Sequence, residues 1–286
     1  MQAPDLVAAR PGARLNLSAL WIAPPLMALA LSFLYPLSLI ARSAMVNEAG
    51  AVDWGAALAV LHSRAFLNAL FNTAEIALAA TAGCLALGFT LALVFAFVPF
   101  PGASLVARLI DTFIALPTFL VTVAFAFLYG SAGMLNGALT QAFGLAEPPV
   151  HFLYTAWGVI LAEVTVYSPF TLRPLLAAFS LVDQNQIEIA SLLGARPLRI
   201  VRDVILPAAL PAAIAGGSLC LLLTVNEFGI VLFIGAKGVI TLPLLIYDKA
   251  IQESEYQAAC IIALVNVLLS LSLFGAYRLA ARRLGN

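Results

Sequence analysis

Six long apolar runs constrain the fold of this chain more than any other feature of its sequence. They lie at about residues 20–40, 70–98, 105–128, 152–178, 210–234 and 258–280. A helix that crosses a bilayer needs about 20 apolar residues, and each run is long enough to cross. Only helices and closed barrels can span a membrane, and runs this long without alternating polarity exclude a barrel. The sequence therefore predicts an all-α integral membrane protein with six transmembrane helices.

The composition supports a membrane protein without a soluble domain. Of the 286 residues, 63% are hydrophobic and 10% are charged, whereas a soluble domain carries about 25% charged residues. The net charge of zero gives no reason to expect a nucleic-acid partner. The three cysteines (Cys84, Cys220 and Cys260) lie within apolar runs and lack the spacing of a metal or redox pair. We interpret them as packing residues.

The positive charges between the runs predict the orientation of the chain. Six spans place both termini on one face, together with the connection between the fourth and fifth spans. Ten arginines fall on that face and four Lys or Arg residues on the other, and the richer face is normally cytoplasmic. We therefore expect residues 1–18 to form a cytoplasmic tail, and residues 19–65 to form the first span and an outer loop. The first run is too long for the core of a signal peptide, so we expect it to be retained.

The outer connections differ in character. Residues 41–68 have the composition of a loop with a short interfacial helix, and residues 129–151 are rich in glycine and proline. Residues 235–257 are too polar to span as a whole, although their 239–246 part is apolar enough to lie flat or re-enter the bilayer. The sequence predicts loops here and no further span.

No recognisable catalytic or nucleotide-binding motif occurs in the chain. The two histidines are isolated, and HExxH, GxSxG and Walker A patterns are absent. We therefore expect no catalytic residues, no metal site and no cofactor bound by this chain. If ATP drives its activity, ATP and Mg²⁺ must bind to another chain.

Two acidic residues fall within the apolar runs, where ionisable groups are costly. Glu163 lies in the fourth run, and Glu227 lies in the fifth, directly after Asn226. These three residues are candidates for lining a translocation path. The alternatives are hydrogen-bonded structural groups between helices, or proton coupling in a secondary transporter.

The longest polar stretch between two runs is residues 183–217. Asp183 followed by Gln186 predicts a helix that begins near residue 184. Gly194 can end that helix in the left-handed conformation, and Pro197 suits the first turn of a second helix that continues to about Leu206. We expect two short helices joined by a sharp turn on the cytoplasmic face, with Pro207 and Pro211 marking the entry to the fifth span.

The same stretch carries a family motif. Glu188-x-Ala190-x-x-x-Gly194-Ala195, followed at the expected distance by Leu206-Pro207, resembles the EAA signature of permease subunits of binding-protein-dependent ABC importers. Ile189 replaces the usual first alanine and Val204 the usual isoleucine, and both departures are mild. The stretch 168–174 resembles the family's lead-in, and the resemblance covers residues 66–284, the usual extent of the transmembrane domain. It places the coupling region at residues 183–207.

This resemblance implies a multi-pass protein of the bacterial inner membrane that works with other chains. The expected partners are a cytoplasmic dimer of ABC ATPases, a second permease subunit (identical or different), a periplasmic solute-binding protein and membrane lipid. The resemblance further implies that a coupling helix docks on the ATPase, with Leu206 and Pro207 fixing its connection to the fifth span. The other residues expected in this coupling element are Glu188, Ala190, Gly194, Ala195 and Arg196.

The solute is indicated by two further segments. Residues 226–236 and 242–247 look most like permeases for 2-aminoethylphosphonate. Permeases for polyamines, iron(III) and sulfate or molybdate share parts of both segments, so these solutes remain alternatives.

Overall fold

A computed structural model describes residues 21–46 and 50–284, and these residues form helices and connections without a strand. The predicted tail, residues 1–18, lies outside the described residues. The boundaries at residues 65 and 66 stay predictions. In chain order the helices are α1 (Ala23–Met45), α2 (Trp54–Leu61), α3 (Arg64–Phe97), α4 (Ala103–Ala115), α5 (Thr118–Tyr129), α6 (Met134–Phe143), α7 (Ala156–Phe179), α8 (Gln184–Leu192), α9 (Pro197–Val225), α10 (Gly229–Ile234), α11 (Leu242–Tyr247) and α12 (Tyr256–Leu284).

Six helical segments of the described chain are long and apolar enough to cross a membrane, which confirms the predicted number of spans. Five of them are helices α1, α3, α7 and α9 and the first 25 residues of α12, Tyr256–Ala280. The remaining one, Thr118–Phe143, combines α5 and α6. The short helix predicted within residues 41–68 is present as α2, and α11 overlaps most of the apolar part predicted at residues 239–246.

The third span differs from the sequence prediction. The apolar run 105–128 is interrupted between α4 and α5 because Pro117 supplies no N–H and disfavours helical geometry at the residue before it. The span begins only at Thr118 and extends through α6, which lies within the stretch predicted as a glycine-rich loop. Hydropathy alone therefore placed this span about half its length too early in the chain.

The fifth span also departs from the prediction at both ends. The second helix of the polar stretch does not end near Leu206 but continues through Pro207 to Val225. A π-helical turn, Val201–Ile205, makes this possible, since its wider loop lets the Leu206 N–H reach the Val201 carbonyl and leaves room for the proline ring. At the other end the run 210–234 is interrupted at residues 226–228, and α10 follows as a separate helix.

Helices α3, α7 and α9 pack against one another and form the centre of the bundle. Small residues allow this packing, because Gly83 and Gly88 of α3 and Gly216 of α9 lie directly against α7. Helix α7 carries many of the fully buried side chains, including Leu175 and Phe179. Helix α12 packs on α9 and α11, and α1 packs on the outside of α12 with only Ala44 buried.

Ion pairs join α4 to α7 and stabilise the connection between α11 and α12. Arg173 of α7 pairs with Asp111 of α4, with an Nε to Oδ1 distance of 2.7 Å. After α11, Lys249 Nζ donates to the carboxylates of Glu253 at 2.6 Å and Glu255 at 2.8 Å. Those two hydrogen bonds raise the pKa of Lys249. Its charge is therefore neutralised within the connection before α12.

Candidate functional site

Helix α8 of the 183–207 segment begins with the predicted cap. The Asp183 carboxylate accepts a hydrogen bond from the Asn185 N–H at 2.9 Å, which satisfies one of the free donors of the first turn. Gln186, the other residue on which this helix start was predicted, adds no side-chain cap within the described chain. A single carboxylate therefore caps the helix.

The end of α8 is fixed by a Schellman motif. Gly194 has a φ of +80°, its N–H donates to the Ser191 carbonyl at 2.9 Å, and the Ala195 N–H donates to the Ala190 carbonyl at 3.0 Å. The predicted left-handed turn at Gly194 is confirmed. Ala190 and Ala195, two residues of the family motif, are therefore joined by the hydrogen bond that sets the angle between α8 and α9.

The inner face of the segment packs on the bundle. Ile187, Ala190 and Ala195 lie against a buried cluster that includes Phe179, Ile200 and other side chains of α3, α7 and α9. Since this cluster joins α8 to the ends of three spans, a displacement of α8 would be transmitted to them.

The outer face of the segment is unusually apolar for an exposed surface. Leu192, Leu193 and Leu198 are 87%, 83% and 84% exposed. Beside them Glu188 and Arg196 are exposed and form no ion pair with the described chain, whereas Arg199 and Arg202 both pair with Asp203. We call Glu188, Leu192, Leu193, Arg196 and Leu198 the docking surface. Exposed leucines flanked by free charges are typical of a surface that binds another protein.

The second candidate site is the break in the fifth span, residues 226–228. The Glu227 carboxylate accepts a hydrogen bond from the Ile230 N–H at 2.8 Å and another from the Tyr167 hydroxyl of α7. Glu227 is only 7% exposed. Its carboxylate therefore holds the start of α10 against α7.

Glu163 lies one helical turn before Tyr167 and is completely buried. Neither of its carboxyl oxygens has a hydrogen-bond partner in the described chain. The neighbouring thiols of Cys84 and Cys220 donate to the carbonyls of Val164 and Tyr167, which agrees with their interpretation as packing residues. Glu163 and Glu227 are thus enclosed between helices in this conformation, and their role in a translocation path stays a prediction.

Asn226 is exposed and takes part in a polar network that sequence reasoning missed. Its Nδ2 donates to the Leu222 carbonyl at 2.7 Å and to Ser270 Oγ at 3.1 Å, and its Oδ1 accepts from Asn266 Nδ2 at 3.0 Å. Asn266 and Ser270 belong to α12, in the middle of an apolar run. Two polar residues in the middle of an apolar run were the sequence signal that could have revealed this network. No group of three or more potential metal ligands occurs among the residues described.

The Tyr167 hydroxyl can be tested as the anchor of the break. Tyr167→Phe should leave a buried Glu227 oxygen unpaired, at a cost of about 1–3 kcal/mol, and should lower the apparent melting temperature in detergent. Glu227→Gln should keep both contacts, because the amide oxygen can accept from the Ile230 N–H while the amide nitrogen donates to the Tyr167 oxygen, the reverse of the native bond. Tyr154→Phe is the matched control, since the half-exposed Tyr154 hydroxyl makes no hydrogen bond within the described chain. Equal melting of the Tyr167→Phe and Tyr154→Phe variants would contradict the anchoring role.

Comparison with known proteins gives a consistent result. Residues 85–286 match the family described as the binding-protein-dependent transport system inner membrane component. The chain is 58% identical over 266 residues, 93% of its length and 92% of the relative's, to a permease of Salmonella paratyphi A provisionally named for a 2-aminoethylphosphonate transport system. It is 30% identical over 259 residues, 89% of its length and 91% of the relative's, to a sulfate transport system permease of Salmonella typhimurium.

Solved structures show the same fold at low sequence identity. A bacterial ABC transporter that imports the acidic polysaccharide alginate has a chain with a TM-score of 0.80 at 17% identity, covering 93% of this chain and 95% of its own. A methionine ABC transporter gives a TM-score of 0.56 at 18% identity, covering 77% of this chain and 95% of its own. The relatives are named as transport permeases rather than enzymes, as the absence of catalytic motifs predicted. The chain belongs to the binding-protein-dependent transport system inner membrane component family, the multi-pass permeases of ABC importers.

Proposed function

We propose that this permease forms half of the translocation path of an ATP-driven importer for 2-aminoethylphosphonate. The observation that carries the choice of solute is the 58% identity, over 93% of the chain, to the Salmonella paratyphi A permease named for that solute. The sulfate permease that also resembles this chain is only 30% identical. Sulfate, molybdate, polyamines and iron(III) are the alternatives, and an ion-coupled secondary transporter is a more distant one.

The proposed complex contains two permeases, two ATPases and a solute-binding protein. The 183–207 segment is the coupling element, and it lies on the cytoplasmic side together with both termini. Two features of the segment support this role: its docking surface exposes leucines and unpaired charges, and its inner face packs on the ends of α3, α7 and α9. ATP and Mg²⁺ bind to the partner ATPase. Closure of the two ATPases would move α8, and the π-helical start of α9 would carry that movement into the fifth span.

The exposure of each residue in the 183–207 segment indicates the role that we assign to it. Glu188 and Arg196 are exposed and provide contacts to the ATPase, whereas Ala190, Gly194 and Ala195 set the geometry of the turn. Leu206 and Pro207 lie where the π-helical turn ends, so they fix how α9 continues from the coupling element.

Uptake by the reconstituted system tests this proposal. Proteoliposomes with the permease, its ATPase and the binding protein should accumulate labelled 2-aminoethylphosphonate only with ATP, and a protonophore should not stop uptake while ATP is maintained. Excess unlabelled 2-aminoethylphosphonate should compete, whereas excess sulfate or putrescine should not. Competition by sulfate or putrescine alone would overturn the assigned solute. Uptake by the permease without ATPase, driven by a pH gradient, would overturn the mechanism.

A further inference from the structure

The polar network at the break in the fifth span has one unused acceptor. The Asn226 amide nitrogen faces the Leu222 carbonyl at 2.7 Å, so the Asn226 oxygen must face Asn266. The Asn266 nitrogen therefore points to that oxygen, at 3.0 Å, and the Asn266 oxygen is the atom left over. Asn266 is 8% exposed and this oxygen has no partner in the described chain.

An unsatisfied buried acceptor is costly, so it calls for an explanation. The network lies deep in the membrane, because Asn266 and Ser270 are on either side of the middle of the span Tyr256–Ala280. A helix rises about 1.5 Å per residue, which places both side chains near the centre of a hydrocarbon core of about 30 Å. The hydrocarbon at that depth supplies no water to satisfy the free oxygen.

Two roles are compatible with asparagines at this place. The first is to hold α9 and α12 together, as polar side chains between membrane helices commonly do. That role explains the hydrogen bond from Asn266 to Asn226, but it gives no partner to the buried oxygen of Asn266. The second role is contact with a solute, which is the use that secondary transporters make of polar groups at helices broken at mid-membrane depth.

The charges around the break indicate which kind of chemical group would bind there. The network offers the Asn266 oxygen at the carboxyl end of the 29-residue helix α9, where the helix dipole is negative. The residue after Asn226 is the carboxylate Glu227, and no lysine or arginine of the described chain bonds to the network. A hydrogen-bond acceptor in a region of negative electrostatic potential favours a positively charged donor.

We infer that the Asn266 oxygen, together with Asn226, receives the ammonium group of the solute as it passes the break. This inference rests on the proposed function, since 2-aminoethylphosphonate carries an ammonium group at the end opposite its phosphonate. In the present conformation the oxygen is buried. The ammonium group reaches it when the break moves away from α12, which couples opening of the path to solute contact.

The test compares solute movement with ATP consumption in the complete reconstituted transporter. Asn266→Leu should lower the 2-aminoethylphosphonate imported per ATP by about tenfold or more, because a buried donor loses its acceptor. ATP hydrolysis stimulated by the loaded binding protein should change by less than about twofold, since the docking surface is intact. Asn266→Asp should import clearly more solute per ATP than Asn266→Leu, because a carboxylate accepts from ammonium although neither variant can donate to the Asn226 oxygen. Ser272→Ala is the matched control, since the Ser272 hydroxyl bonds only the Leu269 carbonyl of its own helix.

The outcomes separate the inference from the function on which it rests. A pure helix clamp would make Asn266→Leu and Asn266→Asp fail alike, because aspartate would repel the Asn226 oxygen. That result, or a normal ratio in Asn266→Leu, would overturn the ammonium contact while leaving the transporter assignment in place. Failure of the unaltered transporter to import 2-aminoethylphosphonate, while it imports another solute, would instead overturn the proposed function.

Discussion

Replacement of Leu192 and Leu193 by aspartate is expected to reduce ATP-driven uptake more than about tenfold, because apolar anchors of an interface each contribute over about 1 kcal/mol. The two side chains are 87% and 83% exposed, so the change removes no packing from the permease itself. In the assembled transporter, however, two charges would enter an apolar contact. The loss should therefore be one of ATPase association, measured as the amount of ATPase that copurifies with the permease.

The control for this double variant is Asn185→Asp, which adds negative charge to the same helix but leaves the exposed leucines unchanged. Asn185 lies in the first turn of α8, where a negative side chain suits the helix dipole. We expect this variant to insert, assemble and transport nearly normally. Normal copurification and uptake in the Leu192→Asp, Leu193→Asp variant would contradict the docking role of the surface.

The coupling turn could be predicted from sequence because its determinants are local. A carboxylate at Asp183 and a glycine at Gly194 act within a few residues of their own positions, so the order of residues already contains the cap and the left-handed turn. An added Cβ at Gly194 would meet no atom within 4 Å. The glycine is therefore needed for its backbone conformation and not for close packing.

The boundaries of two spans could not be predicted because hydropathy does not register how a helix accommodates proline. Pro117 interrupts an apolar run, whereas Pro207 lies inside a continuous helix that relaxes through a π-helical turn. The two prolines look alike in sequence. Their different outcomes depend on the packing of the surrounding turns, here the contact of Ile200 and Ile205 with the cluster beneath α8.

The acidic residues of the candidate path show the same limit of prediction from sequence. Glu163 and Glu227 look equivalent as isolated acidic residues in apolar runs. In the structure Glu227 is satisfied by Tyr167 and Ile230, while Glu163 has no hydrogen-bond partner in the part of the chain described. Only the packing of α7 against the break separates them. The packing of α12 on α9 likewise brings Asn266, 40 residues away in sequence, to Asn226.

The close approach of α3 to α7 predicts the largest loss of stability. A Cβ on Gly88 would overlap the Thr171 hydroxyl and lie 3.0 Å from Thr171 Cβ and 3.2 Å from the Leu172 backbone nitrogen. Gly88→Val should therefore force the two helices apart, at a cost of about 1–3 kcal/mol or more, and lower the apparent melting temperature by about 5 °C or more. Gly275→Val is the matched control, because nothing lies within 4 Å of a Cβ on Gly275.

A double-variant cycle shows whether the contact with Thr171 causes this loss. Thr171→Ala alone should destabilise the protein, since its hydroxyl donates to the carbonyls of Cys84 at 2.7 Å and Ser168 at 2.9 Å. Combined with Gly88→Ala, it should cost less than the sum of the two single changes, because the methyl group added at position 88 would occupy the space that the hydroxyl leaves. Strict additivity of the melting shifts would show that α3 and α7 do not depend on this contact. A Gly88→Val variant as stable as Gly275→Val would contradict the close packing itself.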